Sequence, residues 1–323
     1  MKVENLNAGI LIDCDISNLT EQDYQDINEL YLDKLLITFK NQPFETIPFA
    51  KLINKMGSFA NWNQMLWKQD GTNLAKQEYV DPATFNGADN DFPLQRVTGE
   101  KTDKGLATGI FGNGELDWHS NMNGDMDRAR GVALQGAWHS ENTHTAFMDT
   151  VKAYDDMSDE LKQRCEGVIG HYEYAPENWA KGVPTPQLQL MKGFGMVDHR
   201  YTMPLVNEGF NGKKGLYFHF HNNCKFRQDK ELKQVLMDHC FQDKYIYNHK
   251  WNPGDIVISD QVLTIHKRVE WEPDIIAKRV IHRITFKYDN MIEDYFKKYP
   301  KNIEKDIRDR LMNPVINMAG RKS

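Results

Sequence analysis

The chain is predicted to be an α+β protein with a mainly β core, closed or sandwich-like, and a few helices. Three observations predict it. From His119 onward, short apolar or alternating segments are separated by turn residues, the clearest at 215–221, 255–259 and 279–288. No G-x-G-x-x-G or P-loop follows any of them, and no internal repeat is visible, which argues against a doubly wound sheet or a solenoid. Many strands with few helices then leave a barrel or sandwich.

The elements follow in order. Thr20-Glu21-Gln22-Asp23 resembles a capping box with Asp in the reciprocal position, and Tyr24, Ile27 and Tyr31 recur behind it at helical spacing. Residues 35–39 read as a buried strand. A second helix is expected over 48–56, with Phe49, Leu52, Ile53 and Met56 inward and Gly57 as its stop. Residues 57–108 interleave Trp62, Trp67, Tyr79, Phe85 and Phe92 with polar residues and no sustained period, the pattern of a long lid or substrate loop. A helical stretch is expected near 147–165. Trp251-Asn252-Pro253-Gly254-Asp255 is a turn feeding the strand after it. The tail, 291–323, carries Ile303, Ile307 and Leu311 at four-residue spacing, which predicts an amphipathic helical extension.

With 323 residues, 40% hydrophobic and 27% charged, the chain has ample core for one domain spanning 1–323. Its net charge of −6 gives no basic patch for nucleic acid, and no apolar run reaches a membrane span. Cys14, Cys165, Cys224 and Cys240 are scattered without a C-x-x-C pair. That usage, with an N-terminus lacking the order of a signal peptide, points to reduced thiols in a cytoplasmic protein.

The chemistry concentrates in two places. In His119-Ser120-Asn121, residues one apart share a strand face, so His119 and Asn121 can grip one metal ion. A two-histidine, one-carboxylate iron site would carry Asp or Glu where Asn121 stands. The amide still offers a carbonyl oxygen. Far along the chain, Asp260-Gln261-Val262-Leu263-Thr264-Ile265-His266 follows a strand and places His266 just past its end. In Arg279-Val280-Ile281-His282-Arg283-Ile284-Thr285-Phe286, a period of two puts Arg279, Ile281, Arg283 and Thr285 on one face. If the other face packs on an apolar layer, both arginines face a cavity or solvent. In an enclosed cavity they would need anions, which guanidinium groups hold bidentately.

These segments, 114–121, 260–266 and 279–283, resemble in order and spacing the signatures of the taurine/2-oxoglutarate dioxygenase family. Asn142-Thr143-His144-Thr145-Ala146-Phe147 stands where that family has a Gly-Asp-Thr segment, and the resemblance runs from about Gly9 to Tyr288. It implies a double-stranded β-helix, jelly-roll-like, with buttressing helices. It implies Fe(II), 2-oxoglutarate as cosubstrate and O2, with hydroxylation of an unactivated C–H bond of a small acidic molecule. Position by position it makes His119, Asn121 and His266 the metal ligands, and makes Arg279 and Thr145 the holders of the distal carboxylate. Arg283 would sit near the C1 carboxylate or an acidic group of the substrate. A homo-oligomer is compatible with all of this.

Four readings of Asn121 remain. It ligates through its amide oxygen; or a nearby carboxylate (Asp117, Asp125 or Asp127) substitutes; or the position serves a radical halogenase; or the chain is a catalytically silent relative that binds metal or 2-oxoglutarate. His219-Phe220-His221 offers a rival cupin-type pair. His139, His144 and His282 read as structural, and Trp62, Trp67 and Trp118 as core or loop anchors.

Overall fold

The computed structural model describes residues 1–59, 66–67, 73–74, 94–100, 116–121, 130–173, 200–209, 212–219, 224–269, 273–288 and 291. Most of the 57–108 loop, the 291–323 tail beyond Met291, and Asp125, Asp127 and His221 lie outside the described residues.

Two short strands, β1 (Lys2–Asn5) and β2 (Ile10–Asp13), precede helix α1 (Glu21–Lys34). The capping box forms as the sequence predicts: the Thr20 hydroxyl accepts from Asp23 N–H, and the Asp23 carboxylate accepts from Thr20 N–H. Leu35 ends the helix in the left-handed region (φ 61°), so the expected strand starts one residue later, as β3 (Leu36–Phe39). Helix α2 (Thr46–Met56) begins two residues before the predicted start and stops at Gly57.

A two-residue pair, β4 (Leu66–Trp67) and β5 (Asn73–Leu74), and β6 (Gln95–Thr98) come next. The predicted helical stretch at 147–165 is corrected. Strand β7 (Gly131–Gly136) is followed by β8 (His144–Asp149), and only then by α3 (Thr150–Asp155) and α4 (Asp159–Cys165). Phe147 and Met148 belong to the strand, and the Asp149 carboxylate marks the change by accepting from Lys152 N–H at 2.9 Å.

Strands β9 (Ile169–Glu173), β10 (Arg200–Pro204), β11 (Val206–Glu208), β12 (Lys214–Leu216) and β13 (Lys225–Phe226) follow. The strand expected over 215–221 is thus shorter; it pairs with β11 only as far as Leu216. Helix α5 (Leu232–Cys240), β14 (Ile246–Lys250), β15 (Ile256–Asp260), β16 (Thr264–Arg268), α6 (Pro273–Lys278) and β17 (Val280–Phe286) complete the order. The turn at 251–255 forms as predicted: Asp255 N–H donates to Asn252 O at 3.0 Å, and Gly254 takes φ 90°, a value that suits only glycine.

The result is a mixed α/β fold in which β sheets dominate. The seven-stranded sheet has the order β1-β2-β3-β15-β7-β17-β6, and a three-stranded sheet has β14-β8-β16. Apart from the parallel pair β2/β3, neighbours in these two sheets are antiparallel.

Period-two alternation sorts the side chains of each strand into two layers. Ala133, Ile256, Ile258, Ile284 and Phe286 pack with Tyr31, Phe49 and Ile53 of α1 and α2. Their neighbours Val132, Leu134, Val257 and Ile281 point the other way, where they meet Phe147 and Trp251. Beyond the small sheet, Ala146, Met148 and Ile265 pack with Val151 and Leu236 of α3 and α5. The space between the two sheets therefore receives one face of β7, β8, β15, β16 and β17. No helix among the described residues is long and apolar enough to cross a membrane. All four cysteines are free thiols, and burial raises their pKa values, which suits packing rather than reactivity.

Candidate active site between the sheets

His119 and His266 meet across an isolated antiparallel bridge. His119 N–H donates to His266 O at 2.9 Å, and His266 N–H donates to His119 O at 2.9 Å. The exchange puts both side chains on one face, with ring centroids 4.5 Å apart. His266 is not past a strand end, as the sequence suggested, but in the middle of β16. The preceding strand, β15, ends at Asp260, and only three residues separate the two. Phe147 stacks on the His266 ring at 5.8 Å.

Asn121 completes the group. Its Nδ2 donates to His266 Nε2 at 3.0 Å, so the structure brings together all three residues singled out from the sequence. Nδ1–H of His119 donates to Asp117 O at 2.6 Å, which leaves Nε2 as the lone-pair nitrogen. Burial, and secondarily the charge of Arg283, pull His266 down to about pKa 3, so its imidazole is neutral at physiological pH.

Two imidazoles and one primary amide are donors that fit a divalent metal ion. A half-turn of the amide exchanges Nδ2 for Oδ1 and presents the oxygen. Among the described residues no group of three His, Cys, Asp or Glu stands together. The Asp117 carboxylate accepts from Trp118 N–H at 2.7 Å.

A residue the sequence reading passed over holds this group in place. Gln261 Oε1 accepts from Asn121 N–H at 2.8 Å, and Gln261 O accepts from the Ser120 hydroxyl at 2.7 Å. Gln261 stands next to Asp260, whose carboxylate accepts from Val262 N–H, Leu263 N–H and the Tyr288 hydroxyl, each at 2.7 Å. The buried carboxylate fixes the tight turn between β15 and β16 and so sets the height of His266. No local signal in the sequence links Gln261 to Asn121, 140 positions away.

His219 is fully buried, and its Nε2 accepts from Ser120 N–H at 3.3 Å. That bond ties His219 to the backbone of the His119-Ser120-Asn121 segment. His282 lies on the outer face of β17 against Trp138 and Phe44, in the structural role expected of it. His139 takes a left-handed turn conformation (φ 53°) on the surface.

The arginines face the interior, as the alternation predicts: Arg283 pairs in register with Leu134, and Ile281 between the two lies in the inter-sheet cluster. Arg279 and Arg283 are 5% and 4% exposed, and burial lowers both guanidiniums to about pKa 10. They remain cations at neutral pH, held away from water. Thr145 lies on the same interior face. Trp251 Nε1–H donates to its hydroxyl oxygen at 2.9 Å, which leaves the Thr145 proton for another acceptor. A further arginine, Arg268, shares the His266 face of β16 and is 7% exposed. Its position two residues beyond His266 was the signal that could have found it.

The family model for taurine catabolism dioxygenase TauD, TfdA family matches residues 5–285. The α-ketoglutarate-dependent 2,4-dichlorophenoxyacetate dioxygenase of Burkholderia sp. (strain RASC) is 22% identical over 288 residues, covering 83% of this chain and 86% of the relative. The enzyme of that name from Cupriavidus pinatubonensis (strain JMP 134 / LMG 1197) is 24% identical, covering 83% and 89%. Among solved structures, AAD-2 in complex with Mn(II) and N-oxalylglycine has the same fold, with a TM-score of 0.59 at 17% identity over 88% of this chain and 96% of that one. A taurine dioxygenase from Burkholderia xenovorans gives 0.58 at 16%, over 88% of each chain. With its model matched over nearly the whole chain, this protein belongs to the TauD, TfdA family of 2-oxoglutarate-dependent dioxygenases.

Proposed function

We propose that this chain is an Fe(II)- and 2-oxoglutarate-dependent oxygenase that hydroxylates an unactivated C–H bond of a small acidic molecule. The observation that carries the reading is the convergence of His119, Asn121 and His266 on one point between two sheets, with buried arginines beside it. In this reading the two sheets are the walls of a double-stranded β-helix, and α1 and α2 buttress the larger wall.

His119 and His266 hold the metal through Nε2, and Asn121 offers Oδ1 in place of the usual carboxylate. Asp117 O fixes the His119 tautomer, and Gln261 fixes the backbone of Asn121. Arg279 and the Thr145 hydroxyl take the distal carboxylate of 2-oxoglutarate. Arg283, four residues further along and near enough for its charge to act on His266, takes the C1 carboxylate or an acidic group of the substrate. When bound, iron couples decarboxylation of 2-oxoglutarate to succinate with transfer of an oxygen atom from O2 to the substrate. The protein orients these partners and keeps water from them. An acidic substrate is in keeping with relatives named for 2,4-dichlorophenoxyacetate and (S)-phenoxypropionate, both carboxylic acids.

A second reading rests on Asn121 itself. A neutral third donor binds iron more weakly than a carboxylate, which favours a silent relative that holds metal or 2-oxoglutarate without turnover. The halogenase reading needs space beside the metal, and the Asn121 side chain fills that side at 3.0 Å from His266. One experiment separates the first two. Fe(II) and 2-oxoglutarate added without oxygen should produce a weak visible charge-transfer band, and oxygen should then yield succinate. A band with no succinate, even with carboxylic-acid substrates supplied, supports the silent relative. No band at all removes both.

A further inference from the structure

We propose that Tyr288 is a positioning residue of the candidate metal site, acting through the Asp260 carboxylate to hold the turn that carries Gln261 and leads into His266. The inference rests on the metal reading of His119, Asn121 and His266, and extends it to a phenol that touches none of them.

Three residues separate β15 from β16, and the reversal is pinned from outside. Asp260 N–H donates to Leu35 O at 2.8 Å, and Gln261 N–H donates to Arg130 O at 2.9 Å. Asp260 Oδ1 accepts from Val262 N–H and from Leu263 N–H, both at 2.7 Å. Its other oxygen, Oδ2, accepts from the Tyr288 hydroxyl at 2.7 Å and lies 3.4 Å from Arg130 Nε. The two oxygens turn as one plane, so whatever orients Oδ2 also aims Oδ1 at the turn. Gln261 follows directly, with its side chain on Asn121 N–H and its carbonyl on the Ser120 hydroxyl. A rotation of the Asp260 carboxylate therefore reaches the ligand candidates through the next residue.

Tyr288 makes the shorter of the two contacts to Oδ2, and its hydroxyl is itself aimed. A phenol has a single proton, and Tyr288 gives its own to Asp260. The 2.7 Å contact between the Tyr31 and Tyr288 hydroxyls is then made by Tyr31 donating. Both rings are buried, 5.6 Å apart between centroids, and Phe286 packs on Tyr288 at 5.8 Å. Burial, and after it the negative charge of Asp260, hold both phenols well above their usual pKa, so each keeps its proton at neutral pH. Hydrogen bonds in series polarise one another in such an interior. Without the Tyr288 hydroxyl, Oδ2 keeps Arg130 as its partner among the described residues. The carboxylate then turns toward the guanidinium, and Oδ1 moves off the N–H groups of 262 and 263.

The test is titration of the full chain with Co(II) alone, whose visible bands report the number and geometry of its ligands. Tyr288→Phe keeps the ring and loses the hydroxyl; it should weaken Co(II) binding by about fivefold or more and alter the visible bands. Tyr31→Phe should leave affinity within about twofold and the bands unchanged, although each variant melts below wild type for the loss of a buried hydrogen bond. Asp260→Asn puts an amide donor where Oδ2 accepts, so it should reproduce the altered bands, and it carries the same test should Tyr288→Phe not fold. Unchanged affinity and bands in folded Tyr288→Phe or Asp260→Asn would overturn the proposal. Equal weakening in the two tyrosine variants would also overturn it, by showing a general loss of stability in place of positioning. Wild type that takes up no Co(II) would instead sink the metal reading itself.

Discussion

Asn121 and His266, 145 positions apart in the chain, are joined side chain to side chain at 3.0 Å. The contact joins the residue that departs from the usual ligand set to one of the two proposed imidazole ligands. In the proposed site, metal affinity would then respond to the chemistry of a single amide.

Replacing that amide with a carboxylate is the direct check. Asn121→Asp should tighten Fe(II) or Mn(II) binding by about tenfold or more, because an anionic oxygen replaces a neutral one beside the two imidazoles. Competitive titration against a metal indicator measures it. An unchanged constant would mean that residue 121 is not a ligand.

Removing His266 should be worse. His266→Ala deletes a nitrogen donor held rigidly in mid-strand and is expected to weaken metal binding by about a hundredfold or more. His219→Ala, on the far side of Ser120, should leave metal stoichiometry intact. Stoichiometric iron in the first variant, with loss in the second, would reverse the assignment.

Gln261→Ala tests the support rather than the ligand. It leaves the half-buried Asn121 N–H without its acceptor, which should cost about 1 kcal/mol in urea unfolding and lower metal affinity at the same time. Stability lost with affinity untouched would show that Gln261 packs but does not position.

Acid should act through His282. Burial, aided by the charge of Arg96, lowers its pKa from 6.5 to about 4 in the folded protein. The unfolded chain thus binds a proton that the folded chain refuses over that interval. The stabilisation is complete above about pH 6.5 and is lost progressively as the pH falls from there toward 4. Near pH 5, unfolding should take up about one proton less in His282→Gln than in wild type, by comparison of stability against pH. Identical slopes would refute the assignment.

What the sequence made legible divides by range. Local signals carried well: the capping box at Thr20, the stop at Gly57, the turn at Gly254 and the two faces of β17 all appear as read. Errors arose where two elements abut. Phe147 and Met148 are apolar in either a strand or a helix, and only the Asp149 cap decides between them. Three residues between Asp260 and Thr264 are too few to advertise a new strand, so His266 was set beyond β15 rather than inside β16. The ligand candidates were legible because His and Arg are costly to bury without purpose. Gln261 was not, because its hydrogen bond to Asn121 exists only once remote strands have met. Arg268 needed the placement of β16, which the mistaken strand end concealed.

The isolated bridge between His119 and His266 also has a consequence for the order of folding. Among the described residues it is an isolated bridge between segments nearly half the chain apart, supplemented only by the backbone bond from Arg268 N–H to Leu116 O. Such a contact is reached only after the loop-closure entropy has been met by other pairings. The large sheet, assembled through β7, β15 and β17, is expected to form first and to deliver the two histidines to each other last. A metal ion that binds only the finished pair would leave the rate of folding nearly unchanged and slow unfolding, acting as a latch on a structure already built.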